Sequence, residues 1–79
     1  MTYTRVYLEA YETNKDDFNV LVVYYNGEKR VDHEKLEGYS DIQDAFIAGF
    51  KLAFDGEDLD DYTQANFHGN KFKKNYYVN

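Results

Sequence analysis

The chain has 79 residues, with 15 Asp or Glu against 9 Lys or Arg, a formal charge of −6 at neutral pH. It holds no Cys, Pro or Trp but nine Tyr and six Phe, an aromatic content of 19% that is too high for a disordered acidic tail. These figures predict one domain over residues 1–79, exclude disulfides and Cys-ligated zinc, and argue against direct nucleic-acid binding, since phosphates are repelled by a net acidic surface.

Residues 2 to 12 read as a strand. Val6, Leu8 and Ala10 alternate with Arg5, Tyr7, Glu9 and Tyr11, and a period of two sends the two sets to opposite faces. The polar stretch Thr13-Asn14-Lys15-Asp16-Asp17 predicts a turn. Phe18 to Tyr25 follow as a strand whose continuous run Val20-Leu21-Val22-Val23 suits a central position, covered on at least part of both faces.

Asn26-Gly27 predicts a two-residue type I′ turn, because both residues tolerate positive φ. Such a turn opposes Tyr25 to Glu28, Val23 to Arg30, Val22 to Val31 and Val20 to His33. It places Val31 with Val20 and Val22 on the buried face and His33 at that face's end, as a packing residue. Glu34 to Tyr39 read as a charged connector with Gly38 for flexibility.

Ser40 with Gln43 three positions on forms a Ser-x-x-Gln capping box, and Asp41 suits the positive end of the helix dipole. The predicted helix runs from Asp41 to Asp55. Its apolar stripe is Ile42, Phe46, Gly49, Phe50 and Ala53, flanked by Ile47, Leu52 and Phe54, with Asp44, Lys51 and Asp55 opposite. Gly49 within the stripe predicts close approach to a strand, and Gly56 an αL residue past the helix end.

The segment Asp55-Gly56-Glu57-Asp58-Leu59-Asp60-Asp61 holds five acids in seven residues. Asp58 suits the cap of a second, shorter helix with Asp60 and Asp61 in its first turn. Leu59, Tyr62 and Asn66 share a face of that helix, Phe67 lies close to it, and Gly69 stops it. Lys71 to Asn79 alternate Phe72, Lys74, Tyr76 and Val78 against Lys73, Asn75 and Tyr77, the pattern of a fourth edge strand guarded by lysines, or of a tail. The expected fold is α+β. It has a three- to four-stranded antiparallel sheet packed against one main helix, plus a short second helix, with Val6, Leu8, Val20, Val22, Val31, Phe46 and Phe50 in the core.

Little of this sequence suits catalysis. A nucleophile needs a base in reach, yet there is no Cys, and Ser40, the only Ser, is accounted for as a cap. A domain this small leaves little room for a pocket of about 300 Å³ or more. No Gly-rich phosphate loop appears, and no cofactor is expected. The acidic run does not fit an EF-hand loop, which needs Gly at its sixth position and Glu at its twelfth. Counted from Asp55 those positions are Asp60 and Asn66, and counted from Asp58 they are Thr63 and Gly69. Lys71, Lys73 and Lys74 interleave with aromatics able to stack on bases, but a basic segment on an acidic body is expected to dock on that body.

The remaining feature is the concentration of acids at Glu34–Asp44 and Asp55–Asp61. Carboxylates on a rigid frame can occupy a basic cleft that normally holds phosphates, gaining association rate from electrostatic steering. Tyr62 beside the run is a good interface anchor. No apolar run approaches the ~20 residues of a membrane span, and Met1-Thr2-Tyr3-Thr4-Arg5 lacks the apolar stretch of a signal peptide. A cytoplasmic protein is expected.

A strand pair, the Asn26-Gly27 turn, the aromatic helix Phe46-Ile47-Ala48-Gly49-Phe50-Lys51-Leu52-Ala53-Phe54, an acidic segment and a second helix follow one another. This order, covering roughly Val20 to Phe67, resembles that of small acidic inhibitors encoded by bacteriophages, notably anti-CRISPR proteins that mimic DNA. The Cys-free, Pro-free composition, rich in Lys, Asn, Asp and Tyr, is similar too. The resemblance implies a sheet–helix frame that holds carboxylates against the groove reading the protospacer-adjacent duplex, or against the guide channel. The matching residues are Asp55, Glu57, Asp58, Asp60 and Asp61, with Glu34 and Glu37 secondary. The lysines of the C-terminal segment depart from a purely acidic mimic. Two other readings fit the same residues: a bacteriocin immunity protein or antitoxin blocking a basic nuclease, and a phage accessory protein that dimerises through Tyr7, Tyr11 and Tyr25.

Overall fold

Two long central strands, one with apolar residues at every second position and one with a continuous apolar run, form the middle of the sheet. The computed structural model describes residues 3–64, 67 and 69–78. Strands β1 (Arg5–Asn14), β2 (Asp17–Asn26) and β3 (Lys29–Tyr39) are successive antiparallel neighbours, followed by helix α1 (Ile42–Ala53) and strand β4 (Lys71–Tyr77). β4 pairs antiparallel with the free side of β1, giving a four-stranded sheet in the order β3-β2-β1-β4. The fold is therefore α+β, with α1 packed on one face of the sheet.

The core lies between that face and α1. Val6, Leu8 and Ala10 of β1 and Phe18, Val20, Val22 and Tyr24 of β2 meet Ile42, Ala45, Phe46 and Phe50 of α1, and Leu59 closes one end. Phe46 packs edge-on against Phe72 of β4 with ring centroids 4.9 Å apart, and Phe50 against Tyr76 at 5.1 Å. These aromatic contacts tie the edge strand to the helix as well as to the sheet. Val31 and Leu36 of β3 are half-buried against the same core.

The second hairpin differs from its expected geometry. Asn26 pairs with Lys29, so the loop is Gly27-Glu28 rather than Asn26-Gly27. Gly27 has φ +65, as the first central residue of a type II′ turn requires. Its N–H is held by Thr4 Oγ1 at 2.7 Å. A bulge then inserts Val31 between the pairs Tyr25–Arg30 and Tyr24–Asp32. Beyond it Val23 faces His33, Val22 faces Glu34 and Val20 faces Leu36. One extra residue changes the parity of everything that follows. His33 consequently lies exposed on the face away from α1, not at the end of the buried one. Glu34 to Tyr39 continue β3 instead of forming a connector, with a second irregularity where Gly38 (φ +85) is accommodated before Tyr39 pairs with Phe18.

The helix begins one residue later than expected. Asp41, with extended backbone, accepts the Gln43 N–H at 2.7 Å and is the N-cap in place of Ser40. At the other end Asp55 and Gly56 both have positive φ, +54 and +82, and the Gly56 N–H reaches the Lys51 carbonyl at 2.8 Å. This six-to-one closure of the last turn stops the helix. The second helix expected from Asp58 is not present as a packed element. A single helical turn, Asp61–Gln64, stands there, and Asp60 caps it through the Thr63 N–H at 2.6 Å.

Candidate functional site

The connection from α1 to β4 displays the acidic run on a pinned backbone. Leu59 inserts into the core, 5% exposed, in the middle of the run. Thr63 is fully buried, and its hydroxyl lies 3.3 Å from the Tyr76 hydroxyl while accepting from Lys74 Nζ at 3.0 Å. Gln64 Nε2 donates to the Leu59 carbonyl at 2.8 Å. Around these anchors Asp55, Glu57 and Asp58, before Leu59, and Asp60 and Asp61, between Leu59 and Thr63, are all exposed. The Thr63 backbone N–H, then its hydroxyl and the nearby Lys74 charge, hold the Asp60 carboxyl below its ordinary range, so it stays ionised. Asp58 approaches Lys51 at 3.9 Å, a loose and solvent-exposed pair. The described backbone at Tyr62 lies in the helical turn, but the Tyr62 side chain, like Asn66, falls outside the described residues.

Glu34 and Glu37 do not join this group. They sit on β3, at the opposite edge of the sheet from β4, three strand spacings or roughly 14 Å away. They also point to opposite faces. Glu34, opposite Val22, accepts from the Tyr24 hydroxyl at 2.9 Å on the helix side. Glu37 meets Asn19 Nδ2 at 3.4 Å and Lys35 at 3.6 Å on the other side. Among the described residues the helix side also carries Asp32, Asp41 and Asp44, with Glu34 at its far edge, against Lys29, Lys51 and Lys74.

The opposite face of the sheet has the reverse sign. Register places Arg5, Tyr7, Glu9 and Tyr11 of β1 there, with Lys71, Lys73, Asn75 and Tyr77 of β4 on one side of them and Leu21, Val23 and Tyr25 of β2 on the other. β3 adds Arg30, His33 and Lys35. Among the described residues no element lies over this face, yet Val23 is only 3% exposed, roofed by the long side chains of the flanking strands. Arg5 stacks on the Tyr25 ring at 3.8 Å and donates to Asn75 Oδ1 at 2.6 Å. Glu9 accepts from the Tyr7 hydroxyl at 2.5 Å and pairs with Lys71 at 3.2 Å. The Tyr7 bond has the largest effect on the Glu9 pKa and lowers it; burial, next in size, raises it, and Lys71 and then Lys73 add to the lowering, which prevails. Burial first, then the bond to Glu9, pushes the Tyr7 phenol up to about 12.

At one end of this face lies an open hollow of about 400 Å³ lined by Glu9, Tyr11, Glu12, Leu21, Asn70 and Lys71. It exceeds the room expected in so small a domain. The sequence pattern does place Arg5, Tyr7 and Tyr11 together, and Lys73 with Tyr77. Arg30, before the bulge, also falls on this face by hairpin alternation, but the place of His33 and Lys35 depends on the Val31 bulge, which no local residue choice announces. Among the described residues no group of three His, Cys, Asp or Glu is arranged to hold a metal ion, and no helix is long and apolar enough to cross a membrane.

No protein-family model matches the chain, and no curated protein or solved structure matches it either.

Proposed function

We propose that the protein is a non-enzymatic inhibitor that works by occupancy, setting its acidic helix side against a basic nucleic-acid-binding surface of a host defence nuclease or effector complex. In this reading it acts as a phage-encoded DNA mimic of the anti-CRISPR kind in the host cytoplasm, with no cofactor. The observation that carries the reading is the exposure of Asp55, Glu57, Asp58, Asp60 and Asp61 on a connection pinned to the core by Leu59, within the run, and by Thr63, just after it. A carboxylate array fixed in this way loses little freedom on binding, whereas a floppy acidic loop would have to be ordered first. Asp32, Glu34, Asp41 and Asp44 extend the same sign across the helix side, which favours long-range steering toward a cationic cleft.

The test is inhibition of purified RNA-guided effector nucleases, with binding kinetics measured across a salt series and with duplex DNA as competitor. A mimic is displaced by the DNA and associates faster at low salt. A toxin-blocking immunity protein would bind a basic nuclease toxin instead and resist displacement if it docks beside the active site. Failure to bind any basic nucleic-acid-binding protein at low salt would remove the proposal.

A further inference from the structure

We propose that the helix-free face of the sheet binds single-stranded nucleic acid, stacking bases on its tyrosines and neutralising phosphates with Arg30, Lys35, Lys71 and Lys73. The net charge of the chain argues against nucleic acid, but the fold separates the charges that this total adds together. Four antiparallel strands form a platform with no element above it among the described residues. Sequence-tolerant single-strand binding needs aromatic faces for bases and cations along the backbone path, and both are present. Tyr77 is 78% exposed, and the Tyr11 ring forms one wall of the 400 Å³ hollow, with Lys71 on its rim. Lys35 near one edge and Lys73 at the other flank the rings, roughly 14 Å apart across the strands.

The acids of this face do not cancel the effect. Register and contacts put Arg5, Arg30, Lys35, Lys71 and Lys73 on this face against Glu9, Asp17 and Glu37, so it keeps a net positive charge after Lys71 pairs with Glu9 and Lys35 with Glu37, although Glu12 lines the hollow. The helix-side carboxylates lie on the far side of the sheet, and exposed charges are largely screened beyond about 8 Å at physiological ionic strength. A duplex is a poorer fit, because α1, the helix a major groove would admit, is on the acidic side. A second copy is disfavoured too. A two-fold contact between like faces sets Lys and Arg against Lys and Arg, and packing this face on another copy's acidic side gives a head-to-tail contact that does not close.

The probes are fluorescein-labelled oligothymidylate and oligouridylate of about 20 nucleotides and a duplex of equal length, read by anisotropy at about 50 mM salt with the intact chain. Both single strands should bind better than the duplex, and the ratio between them shows whether DNA or RNA is preferred. Lys35→Gln with Lys73→Gln should lower the salt slope by about 1.4, two phosphate contacts at about 0.7 each. Tyr77→Ala should weaken binding roughly tenfold without moving the melting temperature, as loss of one stacked base does. Asp58→Asn with Asp61→Asn should leave oligonucleotide binding intact, so this proposal and the acidic-side inhibitor can fail separately. Three results would overturn it: no single-strand binding at low salt, equal affinity for the duplex, or binding indifferent to the lysine pair. Self-association in sedimentation that the same lysine changes abolish would assign the face to a second copy instead.

Discussion

Gly49 of α1 rests directly on Val20 of β2: a Cβ added to the glycine would lie 2.7 Å from Val20 Cγ2 and 3.1 Å from Leu8 Cδ2. Alanine in a helix interior normally gains about 1 kcal/mol over glycine. Here the obstacle is a methyl of a stiff β-branched residue, fully buried in a central strand. Overpacking of this kind costs about 1–3 kcal/mol. Gly49→Ala should therefore lower the melting temperature despite its better propensity. In a Val20→Ala background, where the obstructing methyls are gone, the same change should cost less or stabilise, and a thermal double-mutant cycle reads the difference.

Phe50 is the second point where the helix is fixed. It is 8% exposed, and its ring meets Phe54 at 4.6 Å and Tyr76 at 5.1 Å. Phe50→Ala should cost about 3–5 kcal/mol, comparable to the whole stability of many small domains. Circular dichroism melts should show a largely unfolded chain near physiological temperature. An unchanged melting temperature would mean that α1 does not depend on this ring.

The alternation of β1, the four-residue run of β2 and the Ile42-Phe46-Gly49-Phe50 stripe all led to the elements observed, whereas the alternation of Lys71 to Asn79 left strand and tail both open until its pairing with β1 was seen. Gly49 was legible as a contact glycine since its place in the stripe left no other use for it. β3 was not. Its residues are mostly charged because it is an edge strand with one half-covered face, and edge strands look like connectors in sequence. The Val31 bulge and the Gly27-Glu28 loop shifted the register by an odd number of residues beyond the bulge, moving His33 off the expected buried face. Summed charge made the protein look uniformly acidic. Only tertiary structure shows an acidic helix side and a basic, tyrosine-rich sheet face.

The Tyr7–Glu9 pair makes stability depend on pH at both ends. Glu9 has a folded pKa below its ordinary 4.5, chiefly through the Tyr7 hydrogen bond. Its contribution is present above that ordinary value and is lost as pH falls through the folded one. Tyr7 is displaced the other way, from 10.0 to about 12. Its contribution is present below pH 10 and is lost as pH rises toward 12. Burial raises Tyr24 and Tyr76 as well, which adds to the alkaline limb. Tyr7→Phe should flatten the acid limb and shorten the alkaline one in urea denaturation across pH. Tyr7→Phe with an unaltered acid limb would place the Glu9 effect on Lys71 instead.

Asp60 serves both the fold and the proposed interface, and substitutions can separate the two. Its carboxylate caps the turn Asp61–Gln64 through the Thr63 N–H at 2.6 Å, and Thr63 in turn anchors the acidic connection to Tyr76 and Lys74. Asp60→Ala removes the cap and should cost about 1 kcal/mol. Asp60→Asn keeps an acceptor oxygen and should be nearly neutral for folding. Combining Asp60→Asn with Asp58→Asn and Asp61→Asn therefore removes charge while sparing the backbone that displays it. If the helix side steers the protein to a basic partner, the triple variant should associate about tenfold more slowly at low salt, and its rate should vary less with ionic strength. Dissociation should change less, since exposed rim charges act mainly on encounter. Stopped-flow or surface-plasmon kinetics on a basic effector, paired with a melting curve, check this. Unchanged association at low salt by a folded triple variant would reduce these carboxylates to a solvated, well-capped turn.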